Sequence, residues 1–339
     1  MEEFKKTRDP FIDNARFLLV FLVVIGHLVL PIRDDHQFIK EINNILGLFR
    51  MPALILLTGF LSKGFMKPGY VKKIAIKLLV PYFIFQIIFG TYYYFLYNDP
   101  AFEFYLLSPQ YTLWFLMSLF FWNLLLFVFT QIKYPLLIAI ALGVGIGYIS
   151  ELGHYLSIHR TFVFFPFFLL GYYLNIEHLK WVKKRFIKIA AVTSFIVVYI
   201  TFEYILAPNE SLEWLFGYTP YAGLGYDQWY AGFLRLVIYG LSLTMAFSFF
   251  AFVPDRETFF TKLGKRTAYI YILHGAIIEG LYELYLYDAL GEIWDYLIIL
   301  VYGAIITAVL GSKTTVRLTK PLIEGQIIEK YSIRFKKVT

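Results

Sequence analysis

An arginine and a histidine in the first hydrophobic stretch have the spacing expected of a functional pair. Arg16 and His27 are eleven residues apart, so on an α-helix they return to within about 20° of the same face. The rise between them is about 16 Å. If this helix crosses a bilayer, Arg16 lies near one water interface and His27 lies inside, where an ionisable side chain is costly and usually functional.

Asp13 belongs to the same helical stripe, three residues before Arg16, where its carboxylate can hydrogen-bond the guanidinium. His27 has a side chain that titrates near neutral pH and can take a proton from a hydroxyl as a general base. A charge cluster that sets membrane topology, with a histidine packed between helices, is the structural alternative. The spacing alone does not decide between them.

Two later stretches carry further polar groups. Arg50 is predicted to open the second helix at its outer end, with Pro52 at an early helical position. His274 is a second intramembrane histidine, and Glu279 follows it on the same predicted helix. Buried acids can also form the ion relay of a transporter.

A basic loop lies between the second and third hydrophobic stretches. Its lysines at 72, 73 and 77 suit the phosphates of a soluble cofactor, or equally the head groups of anionic lipids. The chain is 59% hydrophobic and only 16% charged, with a mean hydropathy of +0.63. A soluble protein of this composition would expose large apolar patches, so a bilayer is the expected solvent. The bases cluster in loops, which argues against a nucleic-acid partner.

Ten apolar runs are long enough to be considered as spans, and the pattern predicts an all-α polytopic membrane protein. They lie at 16–33, 45–62, 78–97, 112–131, 134–150, 161–175, 187–206, 231–253, 267–287 and 294–312. With the N-terminus in the cytoplasm, most of the 31 Lys and Arg residues fall on the cytoplasmic side. Residues 1–339 are thus expected to form one transmembrane domain with both termini cytoplasmic, ending in a basic tail at 313–339.

Together these motifs resemble the acyltransferase-3 family of membrane acyltransferases, and within it the fucose 4-O-acetylase-like branch. The similar segments occur in the family's order over about residues 10–280. They are the Asp13, Arg16 and His27 pattern and the segments 49–61, 77–82, 114–116, 165–172 and 264–274. The chain departs from the family at Thr58, where serine is usual, and in the basic loop, where lysines replace arginines that bind phosphate with two hydrogen bonds.

The resemblance implies transfer of an acyl group from cytoplasmic acetyl-CoA, or another acyl-CoA, to a hydroxyl of an extracytoplasmic glycan or glycolipid. His27 would be the general base, or would carry a transient acyl group. Asp13 would hold Arg16, and the donor phosphates would meet Arg16, Lys72, Lys73 and Lys77. The candidates for binding the acceptor or a developing oxyanion are Arg50, His274 and Glu279.

The expected setting is a bacterial cell membrane, where the protein contacts lipid and polysaccharide-assembly partners. No metal is expected, since no His, Asp or Glu cluster has ligand spacing on a shared face. Two alternatives stay open at this point: a transporter or flippase for a lipid-linked glycan, and a non-catalytic component of polysaccharide export.

Overall fold

The computed structural model describes residues 9–98, 103–204, 213–284 and 295–325, and all regular structure within these ranges is helical. Residues 1–8, the ends of the predicted stretches 187–206 and 267–287, and residues 326–339 of the predicted tail lie outside the described residues. The longer helices are α1 (Pro10–Val29), α2 (Gln37–Leu61), α3 (Tyr70–Tyr97), α4 (Trp114–Phe129), α5 (Pro135–Gly145), α6 (Ile158–Tyr173), α8 (Arg185–Tyr204), α10 (Ala231–Phe252), α12 (Thr267–Glu283), α13 (Asp295–Leu310) and α14 (Lys313–Ile323). Short helices α7 (Ile176–Trp181), α9 (Glu213–Phe216) and α11 (Thr261–Gly264) lie between them.

Each of the ten predicted hydrophobic stretches overlaps one of these helices, but fewer are long enough to cross a bilayer. Six described helices pass by length and composition, and a seventh span results if α13 and α14 count as one, although they meet at a bend of 64°. α5 is a shorter apolar helix. Ten crossings and the cytoplasmic position of the termini therefore stay predictions.

The first helix begins at a well-formed cap and occupies the centre of the bundle. Asp9 accepts a hydrogen bond from the Phe11 main-chain nitrogen at 3.0 Å, and Pro10 fits the first helical turn because its missing N–H would have no partner there. α1 then contacts α2, α11, α12 and α13. A helix surrounded in this way can aim polar groups into the interior.

The closest approach between long helices joins α2 to α6 through two glycines. A Cβ atom at Gly59 would lie 1.9 Å from the Phe168 carbonyl oxygen, and one at Gly171 would lie 2.0 Å from the Leu56 carbonyl oxygen. Small residues permit such contact where lipid gives helices no hydrophobic reason to associate. Gly59, which belongs to the family-like segment 49–61, therefore serves helix packing.

The start of α1 is fastened to the segment between α10 and α11. Asn14, fully buried, donates to the carbonyl oxygens of Pro254 at 3.0 Å and Arg256 at 2.9 Å. Its own side-chain oxygen accepts from the hydroxyls of Thr258 at 3.2 Å and Thr261 at 2.7 Å. This network satisfies the whole amide and fixes α1 at one end of the bundle.

The two ends of the bundle differ in charge. The end that carries Asn14 holds the lysine-rich start of α3 with the loop before it, and the basic segments around α7 and α11, and we call it the basic end. There Lys63 donates to Asn175 at 3.0 Å, and Lys183 donates to the Val253 carbonyl at 2.5 Å. At the opposite end, the described loops at 103–113, 149–157 and 217–230 contain no Lys or Arg.

Candidate active site

A cavity of about 460 Å³ opens toward the end of the bundle opposite the basic end. Its wall includes His27 from α1, Arg50 from α2, Tyr111 before α4, Arg160 from α6 and Tyr218 after α9. A volume of this size is typical of a small-molecule site. The structure thus brings two of the predicted residues, His27 and Arg50, to one cavity.

His27 is oriented on both its ring and its main chain. Its Nδ1 lies 3.0 Å from the Tyr111 hydroxyl, and its carbonyl accepts a hydrogen bond from the Tyr282 hydroxyl of α12. When Nδ1–H donates to the Tyr111 oxygen, Nε2 carries the lone pair that a general base needs. Tyr111 itself has a φ of 38°, a conformation that residues other than glycine rarely adopt and that is often found at functional sites.

The segment that carries Tyr111 is held by two side chains of α3. Gln86, fully buried, donates to the carbonyl oxygens of Tyr105 at 2.9 Å and Ser108 at 2.7 Å and accepts from the Gln110 nitrogen at 2.9 Å. Tyr82, at the end of the family-like segment 77–82, donates to the Leu106 carbonyl at 2.9 Å. Sequence reasoning missed Gln86, although a glutamine within an apolar helix was a detectable signal.

The second predicted histidine lies beside the first. The rings of His274 and His27 have their centroids 5.5 Å apart. His274 Nδ1 lies 2.7 Å from the Tyr271 carbonyl oxygen, which can only accept, so Nδ1 carries the hydrogen and Nε2 the lone pair. That Nε2 is buried and has no hydrogen-bond partner within the described ranges. His274 does not itself line the cavity.

Arg50 corrects the predicted start of the second helix. Because α2 begins at Gln37, Arg50 and Pro52 lie in its interior and not at its outer end. Arg50 is 4% exposed and donates to Asn43 at 3.4 Å, one weak hydrogen bond. Its guanidinium packs on Gly26, where a Cβ would lie 1.3 Å from NH1. Gly26 therefore makes the space that places this cation next to His27, and sequence reasoning did not single it out.

Arg160 is a cavity residue that sequence reasoning also missed. Its guanidinium contacts two aromatic rings, 4.8 Å from the centroid of Trp114 and 4.6 Å from that of Tyr218. Its Nε donates to the Phe216 carbonyl at 3.2 Å. An arginine at the edge of a Phe-rich stretch was the signal that could have found it.

The aromatic residues between positions 214 and 230 lie in different environments. Trp214 and Tyr221 are buried and stack on each other, with the Arg235 guanidinium 5.1 Å from the Trp214 ring centroid. Trp229 is 85% exposed. Near the cavity mouth, partial burial and the charge of Arg160 lower the pKa of His154. Tyr218 therefore belongs to the cavity, whereas its neighbours serve packing or face outward.

The remaining predicted residues of α1 and α12 lie outside this cavity. Arg16 is not among the described residues that line the cavity. It lies near the start of α1, toward the basic end, whereas the cavity opens at the opposite end. Asp13 is 1% exposed, and its main chain packs on Gly264, where a Cβ would lie 2.0 Å from the Asp13 carbonyl oxygen. Glu279 accepts a hydrogen bond from Tyr97 of α3 at 2.8 Å.

The three predicted lysines of the basic loop share a second cavity at the basic end. Lys72, Lys73 and Lys77 line a space of about 210 Å³ together with Glu324, which follows α14. Glu324 accepts from the Tyr269 hydroxyl at 2.6 Å and lies 3.8 Å from Lys320. All three lysines lie within the first turns of α3 and not in the predicted loop, and they give the cavity the charge of an anion-binding site.

Polar groups within a bundle of apolar helices define a multi-pass membrane protein with an interior site. A family model described as an acyltransferase domain, that of the acyltransferase-3 family, matches residues 9–312. The chain therefore belongs to the acyltransferase-3 family and is an acyltransferase. No curated protein and no solved structure gives a significant match to the chain.

Proposed function

We propose that the chain is an O-acyltransferase, in its simplest form an acetyltransferase of the fucose 4-O-acetylase-like branch. The donor is acetyl-CoA or another acyl-CoA on the cytoplasmic side, and the acceptor is a hydroxyl of an extracytoplasmic glycan or glycolipid. The observation that carries the proposal is His27 in a cavity with a phenol on its Nδ1 and Arg50 beside it. Membership of an acyltransferase family does not favour the transporter or scaffold alternatives.

In the proposed reaction, His27 acts on the acceptor hydroxyl. The hydroxyl oxygen attacks the thioester carbonyl carbon while His27 Nε2 takes its proton. The new C–O bond forms, the C–S bond breaks, and the leaving thiolate takes the proton back from the imidazolium. General-base catalysis of this type contributes about 10²–10⁴-fold. In this scheme the His27 Nδ1–H donates to the Tyr111 oxygen, which leaves Nε2 free to take the proton.

Arg50 is suited to the negative charge that develops on the thioester oxygen. It is buried, and it lies next to the residue that precedes His27 in the chain. A cation fixed in a water-poor site stabilises an oxyanion more strongly than one in water. We assign His274 a supporting role as a proton holder during turnover, since its ring lies 5.5 Å from that of His27 and its Nε2 has no partner among the described residues.

The lysine cavity is the proposed seat of the donor phosphates. From Lys77 to Gln86, whose side chain holds the cavity wall, α3 rises about 14 Å. The flexible arm of coenzyme A is the part of the donor that would cover this distance and bring the thioester to His27. Arg16, on the basic half of α1, is proposed to meet the donor on its way, held by Asp13.

The central test is coenzyme A release by purified protein given acyl-CoA and a glycan acceptor. His27→Gln removes the base with little change in size, and we expect the rate to fall by about 10²–10⁴-fold. His36→Gln, in the segment after α1 and outside the cavity, is the matched control and should retain the rate. Normal membrane insertion with an unchanged rate in His27→Gln would contradict the assignment. Glycan movement that needs no acyl-CoA would instead favour a transporter.

A further inference from the structure

The contacts that hold Arg160 in place involve its Nε and the face of its guanidinium, and they leave its two terminal nitrogens available to a ligand. Its guanidinium makes cation–π contacts with the rings of Trp114 and Tyr218, and its Nε donates to the Phe216 carbonyl. The two rings are themselves backed by Phe164 and Phe216, with centroids 5.6 Å and 6.0 Å away. The aromatic pair therefore restrains the position of the guanidinium through cation–π contacts.

Within the described ranges, neither terminal nitrogen of Arg160 has a hydrogen-bond or ion-pair partner. No Asp or Glu is among the described residues that line the cavity, and Arg50, the second arginine there, also has no carboxylate partner. A cation taken out of water is costly unless an anion pairs with it. The cavity thus carries two fixed positive charges and supplies no negative charge of its own.

Among the described residues at the cavity mouth, His154 adds no charge at neutral pH. The His154 ring lies 5.2 Å from that of Tyr218, and partial burial and the Arg160 charge lower the pKa of His154, so its ring is neutral. Arg160 lies in the first turn of α6, at the end of the bundle opposite the basic end. A ligand that enters from that side meets Arg160 in the same cavity that holds His27.

We propose that Arg160 recognises a fixed anionic group on the acceptor glycan, either a sugar carboxylate or a sugar phosphate. This inference rests on the proposed function and names its substrate class. The planar guanidinium offers two parallel N–H donors, which match a carboxylate or a phosphate in bidentate geometry. Arg160 is then a specificity-determining residue, which anchors the sugar by its charge while a hydroxyl reaches His27.

The test measures binding to purified full-length protein by thermal stabilisation and titration. The probes are methyl glucuronide for the carboxylate, glucose 6-phosphate for the phosphate, and methyl glucoside as the neutral reference. We expect one or both anionic sugars to bind at least about tenfold more tightly than methyl glucoside, as a charge-assisted bidentate pair provides. The anion that binds identifies the source of the charge.

Two variants locate the effect. Arg160→Gln should abolish the preference for the anionic sugar, and Arg160→Lys, which keeps the charge without the fork, should restore part of it. Arg33→Gln is the control, because Arg33 belongs to the same end of the bundle but pairs with Asp34 at 2.9 Å. If Arg160→Gln does not fold, the preference of the wild type and its loss at high salt still test the inference.

Several outcomes would overturn it. Methyl glucoside binding as tightly as both anionic sugars, no binding of either anion, or an Arg160→Gln variant that keeps the preference would each do so. Inorganic phosphate binding as tightly as glucose 6-phosphate would show a site for a free anion. Coenzyme A release with neutral sugars alone would refute this inference and leave the proposed function. A preference for anionic sugars without coenzyme A release would support this inference and contradict the proposed function.

Discussion

At the scale of the residue, the site depends on the space that single atoms leave. Gly26 and His27 are adjacent in sequence, yet the glycine faces Arg50 while the histidine faces the cavity. Since a Cβ at Gly26 would overlap the Arg50 guanidinium, the pair of cation and base exists only because residue 26 has no side chain. The hydrophobic first helix therefore carries a functional position that its polar residues do not reveal.

Gly26→Ala is expected to displace Arg50 and lower acyl transfer by about 10²-fold, the scale of losing one oxyanion donor. The measurement is coenzyme A release at saturating donor and acceptor. Gly240→Ala in α10 is the matched control, because a Cβ there meets nothing within 4 Å. Full activity of Gly26→Ala would show that Arg50 can move without consequence.

The lysine cavity gives a second prediction at this scale. Replacing Lys72, Lys73 and Lys77 by Gln should raise the KM for acyl-CoA about tenfold or more and leave kcat nearly unchanged, because the lost contacts hold the donor equally before and during reaction. Lys67→Gln and Lys133→Gln, outside that cavity, are the controls. An unchanged KM in the triple variant would show that the donor phosphates do not bind in this cavity.

At the scale of the element, helix crossings decide which side chains meet. α2 carries Arg50 and α6 carries Arg160, and the two helices touch main chain to main chain at Gly59 and Gly171. This contact lies nearer the basic end than either arginine. It therefore sets how far apart the two helices stand where they line the cavity, and packing glycines become part of the site's geometry.

Gly171→Val should separate α2 from α6 and lower the thermal midpoint, since a Cβ at this position already lies 2.0 Å from the Leu56 carbonyl oxygen. Overpacking of this kind costs about 1–3 kcal/mol. Gly240→Val, in open space on α10, provides the comparison and should shift the midpoint far less. Equal shifts for the two variants would indicate that the close crossing is not rigid.

At the scale of the whole molecule, charge asymmetry sets the two sides. The described loops at one end are rich in lysine and arginine. At the other end the loops at 103–113, 149–157 and 217–230 contain none, and Arg33 in the segment after α1 pairs with Asp34. If the basic end faces the cytoplasm, donor and acceptor enter from opposite sides and meet within the bundle. The two cavities lie at the matching ends.

The chain contains no cysteine, so single cysteines can report topology without background. Trp229→Cys at the cavity end and Phe259→Cys at the basic end replace side chains that are 85% and 92% exposed. With the predicted orientation, a membrane-impermeant maleimide should label Trp229→Cys in intact cells and Phe259→Cys only after permeabilisation. The reverse pattern would invert the proposed sides of donor and acceptor.

Sequence reasoning located the helices and the histidines because hydrophobic length and isolated polar residues are local signals. The ten predicted stretches overlap helices, and the rings of His27 and His274 lie 5.5 Å apart while Arg50 lines the same cavity as His27. It misplaced Arg50 within α2, because the polar residues before it hid the true start at Gln37. The resemblance also assigns Arg16 to the donor phosphates, and Arg16 does not line the cavity that holds His27.

The sequence by itself determined the solvent of this protein, its helical class, its asymmetry of charge and its family, because composition and ordered motifs need no knowledge of contacts. Only the tertiary structure decided that Tyr111 contacts His27, that Gly26 admits Arg50 and that Arg160 contacts the rings of Trp114 and Tyr218. These contacts join residues far apart in the chain. Which side chains meet depends on the angles and distances at which helices cross, and those are set by packing.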